Sequence, residues 1–461
     1  MSATKIVIIG AGSASFGPTT LATILREPAL QGSELALVDT NEATLEMVYQ
    51  VAIRMNQSWD ANMKITASTN RRDVLANAHF VVVSIEVPPR EELWRKDWEI
   101  PVKHGLRQPY GENGGPGGLM HACRQIPPFM EIVRDMETLC PEAWLINFSN
   151  PLPRITRAVT KYSRIRTVGK CHQINVGYGI AAVLLRERYG VHVPEGTNFH
   201  SDPGNVGTIH QFAEIGRRYV DIKAAGLNHF IWLVDIRDKE TGEDLYPALR
   251  EALANAPASL EPFSMALFRV FGYCPLPGDT HLAEYLPWAH DPLAKPWEKY
   301  AIPLYRWSEN EAAREYLHYM LAQMAKGAMP VDGLREVLSE GAAELIVAIN
   351  DNQNYYDESV NIPNEGAISN LPDETIVEIP AMVSGMGVQG LHIGALPEPI
   401  AELCRREAAL VEMVVDTAVT GDRSLALQTL LLDPMINDID RARAILDDYL
   451  KEFAPYLPQF Q

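Results

Sequence analysis

Residues 5–17 read KIVIIGAGSASFG, and this stretch decides the fold of the first half of the chain. Lys5–Ile9 is a largely β-branched apolar run, the pattern of a strand buried on both faces of a parallel sheet. The run stops at Gly10, and a helical pattern starts at Pro18, where the missing proline N–H does no harm in a first turn. Strand, glycine turn and helix in this order predict the first βα unit of an α/β domain.

The same alternation continues over about the first 170 residues. Short apolar runs predict four further strands, at 35–39, 80–85, 144–148 and 168–171. Helical patterns lie between the strands, notably at 128–140. Because such alternation implies parallel strands with crossover helices, we predict an N-terminal Rossmann-type, doubly wound parallel sheet.

The pattern changes after about residue 190. Two strand-like runs are followed by two long amphipathic helices, at 219–224, 230–236, 309–326 and 399–418. We predict a C-terminal mixed α+β domain in this part. The expected division is residues 1–190 for the nucleotide and residues 191–461 for substrate, metal and subunit contacts, which agrees with a length too great for one ordinary core.

Composition and charge exclude some classes of partner. Hydrophobic residues make up 47% and charged residues 21%, as in a packed protein, and the net charge of −19 argues against binding nucleic acid or an anionic membrane surface. No secretory signal is visible, and no apolar run approaches the roughly 20 residues that span a bilayer. The five cysteines are sparse and odd in number, so we expect a cytoplasmic protein with free thiols.

The glycine turn has the features of a dinucleotide site. Gly10 and Gly12 allow a tight turn and close approach of a pyrophosphate, with Ser13 following at the start of a helix. Ser15 replaces the third glycine of the usual fingerprint. Asp39 ends the second predicted strand, where an acid binds ribose hydroxyls and repels a 2′-phosphate. An ordinary tight turn is the alternative, but the combination favours binding of NAD.

Polar side chains are concentrated after three predicted strands, in residues 147–151, 169–172 and 226–229. Ligands bind at this edge of open α/β sheets. A thiol beside an imidazole, Cys171-His172, with another imidazole farther along the chain, can hold a borderline divalent ion. A buried thiol beside a surface histidine gives the same pattern, so the residues alone leave both interpretations open.

Two further segments carry titratable groups. Residues 110–118 are rich in glycine and present Glu112, either in a plain flexible loop or where the backbone approaches a ligand. Residues 278–288 include Asp279 and His281, either as groups of an active site or as a helix cap with a solvated face.

The order of these segments resembles glycoside hydrolase family 4, the NAD- and metal-dependent glycosidases. The resemblance runs through nearly the whole chain and is far more specific than any single motif. It rests on the Gly10 turn and on residues 100–105, 115–118, 147–151, 171–172, 226–229 and 279–287.

The resemblance implies roles for individual residues. Cys171 and His229 would hold a manganese-type ion, with His172 as a third ligand or an acid/base group. Members that act on 6-phosphosugars have Asn or Asp after the cysteine, so His172 indicates the non-phosphorylated branch. Glu112 would be the general acid, in a segment where that branch usually shows Gly-Asp-Thr, and Asp279 would be the general base.

The implied reaction oxidises the sugar at C3 with NAD, removes the C2 proton and eliminates at C1. Residues 278–287 and 185–194 look closest to α-galacturonidases, so we expect an α-hexuronate substrate, with α-glucosidase, α-galactosidase or α-glucuronidase activity as alternatives. The expected sugar contacts are Asn147, Asn150, His281 and Arg306. Arg306 would bind the C6 carboxylate, unless it forms a surface salt bridge or stacks on Trp307.

Two other classes share part of this pattern. A lactate- or malate-type dehydrogenase has the same Rossmann start but would leave Cys171, His172 and His229 without a task. A nucleotide-binding scaffold would bind NAD without turnover or metal. We therefore expect an enzyme with NAD and Mn²⁺ or another divalent ion as cofactors, a small carbohydrate as substrate, and a homodimer or homotetramer as the assembly.

Overall fold

The computed structural model describes residues 4–13, 16–200, 207–305 and 307–461, and within these residues eleven strands form one sheet. The strands are β1 (Lys5–Ile9), β2 (Glu34–Val38), β3 (Lys64–Ser68), β4 (Phe80–Val83), β5 (Trp144–Asn147), β6 (Arg166–Gly169), β7 (Val220–Leu227), β8 (Phe230–Asp238), β9 (Tyr355–Pro363), β10 (Ile376–Ser384) and β11 (Gly387–Gly390). Their order across the sheet is β3-β2-β1-β4-β5-β6-β9-β10-β7-β8, and β11 pairs with β10.

The first six strands are parallel and confirm the predicted Rossmann-type sheet. β1 lies between β2 and β4, so the strand order reverses beside the turn that follows β1. The apolar run of β1 is buried, as expected for a strand covered on both faces. β3 was not predicted, because its sequence KITAS is short and partly exposed and carries no continuous apolar run.

The sheet continues from β6 into the C-terminal half of the chain. Gly169 of β6 pairs with Asn361 of β9, and Glu378 of β10 pairs with Gly226 of β7, both in antiparallel register. The predicted mixture of α-helices and β-strands in the C-terminal half is confirmed. Alternation along the sequence could not show that the two halves share one sheet, because the joining strands are far apart in the chain.

The described residues contain eighteen α-helices, some of them only one turn long. They are α1 (Phe16–Leu25), α2 (Glu42–Ser58), α3 (Arg72–Leu75), α4 (Arg90–Lys103), α5 (Gly115–Leu139), α6 (Leu152–Tyr162), α7 (Ile174–Leu184), α8 (Arg186–Tyr189), α9 (Gly207–Tyr219), α10 (Tyr246–Ala252), α11 (Pro262–Phe271), α12 (Asp279–Tyr285), α13 (Pro296–Lys299), α14 (Trp307–Ala325), α15 (Ala342–Asn350), α16 (Glu398–Thr420), α17 (Arg423–Leu432) and α18 (Ile439–Glu452).

One helix boundary differs clearly from the sequence-based expectation. α5 begins at Gly115 rather than at Pro128, so part of the glycine-rich segment forms its first turn. Pro127 and Pro128 lie inside this helix. Proline is usually found in the first turn of a helix rather than in its interior. The pattern at Pro128 therefore placed the predicted start of this helix too late.

Two apolar clusters hold the molecule together. The larger one contains residues of β1, β4, β5, α5 and α16, and so spans both halves of the chain. The second packs α7 and α9 against the β7–β8 hairpin and fixes the position of that hairpin. Among the helices that the structure describes, none is both long and apolar enough to cross a bilayer.

Candidate active site

The turn after β1 is built from backbone contacts. Gly10 has a φ of 87°, and a Cβ atom there would lie 1.8 Å from the carbonyl oxygen of Ser84. The amides of Gly10 and Ala11 both donate to the carbonyl of Val38, at 2.9 and 3.0 Å. Glycine is therefore required at position 10. Ser15, the third position of the fingerprint, lies outside the described residues.

Asp39 lies beside this turn, directly after β2. Its carboxylate accepts the amide of Gly12 at 2.9 Å and the amide of Asn41 at 2.9 Å. Ser13 closes the turn by donating its amide to the carbonyl of Gly10 at 3.2 Å. The predicted nucleotide residues are thus brought together, with an acid next to the glycine backbone, where the ribose of a dinucleotide lies in this fold.

A cavity of about 880 Å³ opens next to Asp39. Its lining includes four carboxyl side chains, those of Asp39, Glu42, Glu46 and Glu86. Negative charge at this density repels a phosphate on the ribose but accepts hydrogen bonds from its hydroxyls. The cavity therefore fits NAD better than NADP.

The Cys171 thiol and the His229 imidazole meet at one edge of the sheet. Cys171 follows β6 and His229 lies in the turn between β7 and β8, with 3.4 Å between Sγ and Nε2. β9 and β10, which lie between β6 and β7, set this distance. Burial, together with the Glu378 carboxyl, raises the pKa of the Cys171 thiol to about 12, and burial holds the pKa of His229 well below its usual range.

The geometry of this pair fits a divalent ion. Zinc–thiolate and zinc–imidazole bonds of about 2.3 and 2.1 Å, for example, would place the two ligand atoms roughly 3.6 Å apart in a tetrahedral site, close to the separation of this pair. Among the described residues, His229 Nδ1 and Asn228 Oδ1 are buried and have no hydrogen-bond partner, and buried polar atoms of this kind are often satisfied by a water or an ion. Among the described residues no group of three His, Cys, Asp or Glu side chains could hold a metal, so the pair leaves coordination positions for other oxygens.

His172 lies next to this pair in sequence but has different neighbours. Its side chain is exposed, its Nδ1 is 3.7 Å from a carboxylate oxygen of Glu340, and its ring centroid is 5.4 Å from that of His210. The structure does not bring His172 into a three-ligand group with Cys171 and His229. Its role as ligand or acid/base group stays a prediction.

The Asp279 carboxylate caps a helix. It accepts the amides of Phe263 and Ser264, both at 2.8 Å, and the hydroxyl of Ser264 at 2.7 Å, in the first turn of α11. Burial raises the pKa of Asp279, and these donors lower it in part. The alternative that the sequence left open, a cap of its own helix with a solvated face, differs from what the structure shows, because Asp279 is buried and caps the preceding helix. As a general base Asp279 would have to release these donors, and that role stays a prediction.

α12 contacts His229 on two sides. The rings of His281 and His229 stack, with centroids 4.4 Å apart and an angle of 8°. The hydroxyl oxygen of Tyr285 accepts the His229 amide at 3.4 Å. His281, predicted as a sugar contact, thus lies beside the thiol–imidazole pair.

Glu112 is buried at the start of the glycine-rich segment. The side-chain amide of Asn113 donates to its Oε2 at 3.1 Å, and an Arg90 nitrogen lies 3.8 Å from its Oε1. Burial raises the pKa of Glu112, although the Arg90 guanidinium opposes this. A raised pKa favours the protonated form that a general acid needs.

The other predicted sugar contacts have different positions. Asn147 is buried and builds the turn after β5, accepting the Ser149 amide at 2.8 Å and donating to the Thr156 hydroxyl at 3.2 Å. Asn150 is half-buried in the same turn. Arg306 lies outside the described residues. Asn150 is therefore the better candidate of the two asparagines for a ligand contact.

Two buried carboxyl groups near the site were not assigned from the sequence. Glu378 accepts the side-chain amide of Asn228 at 2.7 Å and the hydroxyl of Ser359, and its charge acts on Cys171. No motif marks Glu378, because only the pairing of β10 with β7 brings it there. Glu284 belongs to the segment 278–288, but it accepts a hydrogen bond from the backbone amide of Glu112, 172 positions away in the sequence.

Comparisons with known proteins show the family to which the chain belongs. The model of the family 4 glycosyl hydrolases matches residues 5–186, and the model of their C-terminal domain matches residues 224–436. An α-glucosidase from Erwinia rhapontici is 32% identical over 99% of both chains, and an α-galacturonidase from Bacillus subtilis is 27% identical over 95% of both.

Solved structures share the fold over the whole chain. A Bacillus subtilis structure named as a glucosidase has a TM-score of 0.83 and 26% identity, over 97% of this chain and 100% of that chain. A Thermotoga maritima 6-phospho-β-glucosidase structure with manganese, NAD⁺ and glucose-6-phosphate has a TM-score of 0.78 and 22% identity, over 98% and 99%. The fold and the matched sequence define a glycoside hydrolase. The chain belongs to glycoside hydrolase family 4, as its motifs predict.

Proposed function

We propose that this enzyme cleaves an α-glycosidic bond by redox-assisted elimination. The sugar is oxidised at C3 with NAD as acceptor, loses its C2 proton, eliminates the group at C1, adds water and is reduced again at C3. The observation that carries the proposal is the Cys171–His229 pair, with 3.4 Å between its ligand atoms, in a chain that also has the Gly10 turn. Hydrolysis by a pair of carboxyl groups would need neither feature.

NAD and Mn²⁺ are the proposed cofactors, as in the Thermotoga structure. When bound, NAD exchanges a hydride and the ion supplies Lewis acidity to sugar oxygens. The glycine turn after β1 and the start of the helix behind it would receive the pyrophosphate, and Asp39 would accept hydrogen bonds from the ribose hydroxyls. Cys171 and His229 would hold the ion.

The proposed proton transfers belong to two carboxyl groups of the chain. Glu112, whose pKa burial raises, would donate its proton to the leaving oxygen. Asp279 would accept the C2 proton once the α11 amides release its carboxylate. Asn150 would hydrogen-bond the hydroxyls at the reacting carbons. His172 remains an alternative acid/base group or an added ligand.

The proposed substrate is an α-linked hexuronate, with galacturonate favoured over glucuronate and neutral hexosides as the runner-up. The segment 278–287 supports this proposal, and so does the similarity to the Bacillus subtilis α-galacturonidase. The 32% identity to an α-glucosidase supports the runner-up. Arg306 is proposed as the cation for the C6 carboxylate.

We also propose a cytoplasmic homodimer or homotetramer. The five cysteines are free, and a thiolate that binds metal needs reducing conditions. Tyr316 and Tyr319 of α14 expose 61% and 59% of their surface, which a second copy could cover.

The division into residues 1–190 and 191–461 is supported by the family models, which leave residues 187–223 unmatched.

The test is a panel of nitrophenyl α-galacturonide, α-glucuronide, α-galactoside and α-glucoside. Each is assayed with NAD⁺, Mn²⁺ and thiol, and again with one of these omitted. We expect activity only with the full mixture and the highest kcat/KM on a uronide. Full activity after removal of NAD and exhaustive chelation would refute the proposal, and steady accumulation of NADH with an oxidised product would indicate a dehydrogenase.

A further inference from the structure

Glu284 of α12 is a buried carboxylate that uses both of its oxygens. Oε1 accepts the backbone amides of Glu112 and Asn113 at 2.9 and 3.1 Å, and the amide of Gly114 lies at 3.4 Å. Oε2 lies 3.0 Å from Nδ1 of His281. The side chain has no solvent exposure. One carboxylate therefore connects the segment that carries Glu112 with the helix that carries His281.

The contact with residues 112–114 fixes the backbone around Glu112. Amides that converge on one oxygen form an anion-binding nest, and here the anion is a side chain of the protein itself. Gly114 precedes α5, which has no side-chain cap from within its own segment. A Cβ atom at Gly114 would lie 2.5 Å from the carbonyl oxygen of Glu284, so glycine permits the close approach.

The contact with His281 orients a second group. The carboxylate holds the hydrogen on Nδ1 of His281, and the ring is stacked on His229 with an edge contact from Tyr110 at 4.9 Å. The plane of His229 in turn directs Nε2 toward the sulfur of Cys171. A row of contacts thus runs from residues 112–114 to the thiol–imidazole pair, with hydrogen bonds as far as His281 and a ring stack from His281 to His229.

We propose that Glu284 is a positioning residue that holds the carboxyl of Glu112 and the imidazole of His229 in fixed relation. The inference rests on the proposed function, since it gives those two groups their tasks. A carboxylate is required because both contacts bring N–H donors. An amide has a single acceptor oxygen, so its NH₂ group would face either the nest or the N–H of His281.

The test compares Glu284→Gln with Glu407→Gln in the full-length protein. Glu407 is a matched control, because it is a buried carboxyl in α16 and burial raises its pKa to about 8, so that the amide resembles its neutral form. We expect Glu284→Gln to weaken Mn²⁺ binding by about 10-fold, the lower end of the 10–100-fold range for direct hydrogen-bond partners of metal ligands, because Glu284 reaches His229 only through His281. It should lower kcat more than it changes KM, while the Kd for NAD and the Tm stay near wild type. The control should leave all five quantities unchanged.

A second variant keeps the inference testable if Glu284→Gln does not fold. His281→Phe retains a stacking ring but lacks the N–H, so it should also weaken Mn²⁺ binding. The double variant should be no weaker than Glu284→Gln alone, since both changes break the same row.

Three results would overturn the inference. The first is wild-type Mn²⁺ affinity in Glu284→Gln, or in His281→Phe if that is the variant available. The second is an additive double variant. The third is a parallel loss of Mn²⁺ affinity, NAD affinity and Tm, which indicates general damage. A wild-type protein that binds no Mn²⁺ is a distinguishable failure, because it refutes the proposed function itself.

Discussion

The glycine turn and the thiol–imidazole site are built in opposite ways. The turn uses backbone atoms within the first β-α-β unit, such as the Gly10 amide and the Val38 carbonyl. The other site brings together groups from distant segments: Cys171 and His229 are 58 positions apart, and Glu112 and Glu284 are 172 positions apart. Local backbone geometry can be recognised in a sequence, whereas the second kind of site depends on how the sheet is completed.

The difference also predicts how each region responds to substitution. A backbone-built turn tolerates most side-chain changes other than at its glycines. A site built from side chains loses its chemistry when one donor is removed, although the fold is kept. The following variants should separate the two regions, and they are ordered from the largest expected effect to the smallest.

Cys171→Ser should abolish most activity, with a loss greater than the roughly 10–100-fold seen when only a partner of a metal ligand is changed. A hydroxyl is a much poorer ligand than a thiolate for a borderline ion. Calorimetry should show weakened Mn²⁺ binding and an unchanged Kd for NAD. Cys140→Ser, at a buried thiol outside the site, is the control. An equal loss of NAD binding would show that the two regions are not independent.

Glu112→Gln should reduce kcat about 10²–10⁴-fold on substrates with alkyl leaving groups, because the amide cannot donate a proton to the leaving oxygen. The loss should be smaller with nitrophenyl substrates. Since burial raises the pKa of Glu112 and the protonated form is the active one, wild-type kcat should fall as the pH rises through that pKa. If kcat of Glu112→Gln falls with rising pH in the same way as kcat of the wild type, the group that titrates is a different residue.

Asp279→Asn distinguishes a base from a helix cap. A base predicts a loss of kcat of about 10²-fold or more. A cap alone predicts a loss of about 0.5–2 kcal/mol in the free energy of unfolding, with kcat retained. Ser264→Ala is the matched control, because it removes one donor to the Asp279 carboxylate and leaves the carboxylate in place. Equal kcat in both variants would exclude Asp279 as the base.

Asp39→Asn should have the smallest effect and should act on the turn alone. Removing the charge should raise the affinity for NADP relative to NAD by about tenfold, equivalent to about 1.4 kcal/mol. Fluorescence titration with both cofactors measures this ratio, and Mn²⁺ binding should not change. A wild-type preference for NADP would contradict the role given to the acidic cavity.

The same contrast explains what the sequence could predict. β1 and the turn at Gly10 follow from a buried apolar run and two glycines, and β7 and β8 follow from two strand-like runs. The capping of α11 by Asp279 and the acid at Glu378 could not be predicted, because each depends on a partner that only the folded chain supplies. The motif around Cys171 and the family resemblance led to the proposed metal site and reaction, but not to the contacts of Glu284.

The most direct test of redox-assisted elimination is turnover in heavy water. The wild-type enzyme is supplied with NAD⁺, Mn²⁺, thiol and its best nitrophenyl glycoside, and the released sugar is analysed by NMR. Because the proton removed from C2 exchanges with solvent before water is added, the account predicts deuterium at C2 of the product. A product with hydrogen retained at C2 would contradict it and indicate direct displacement at C1.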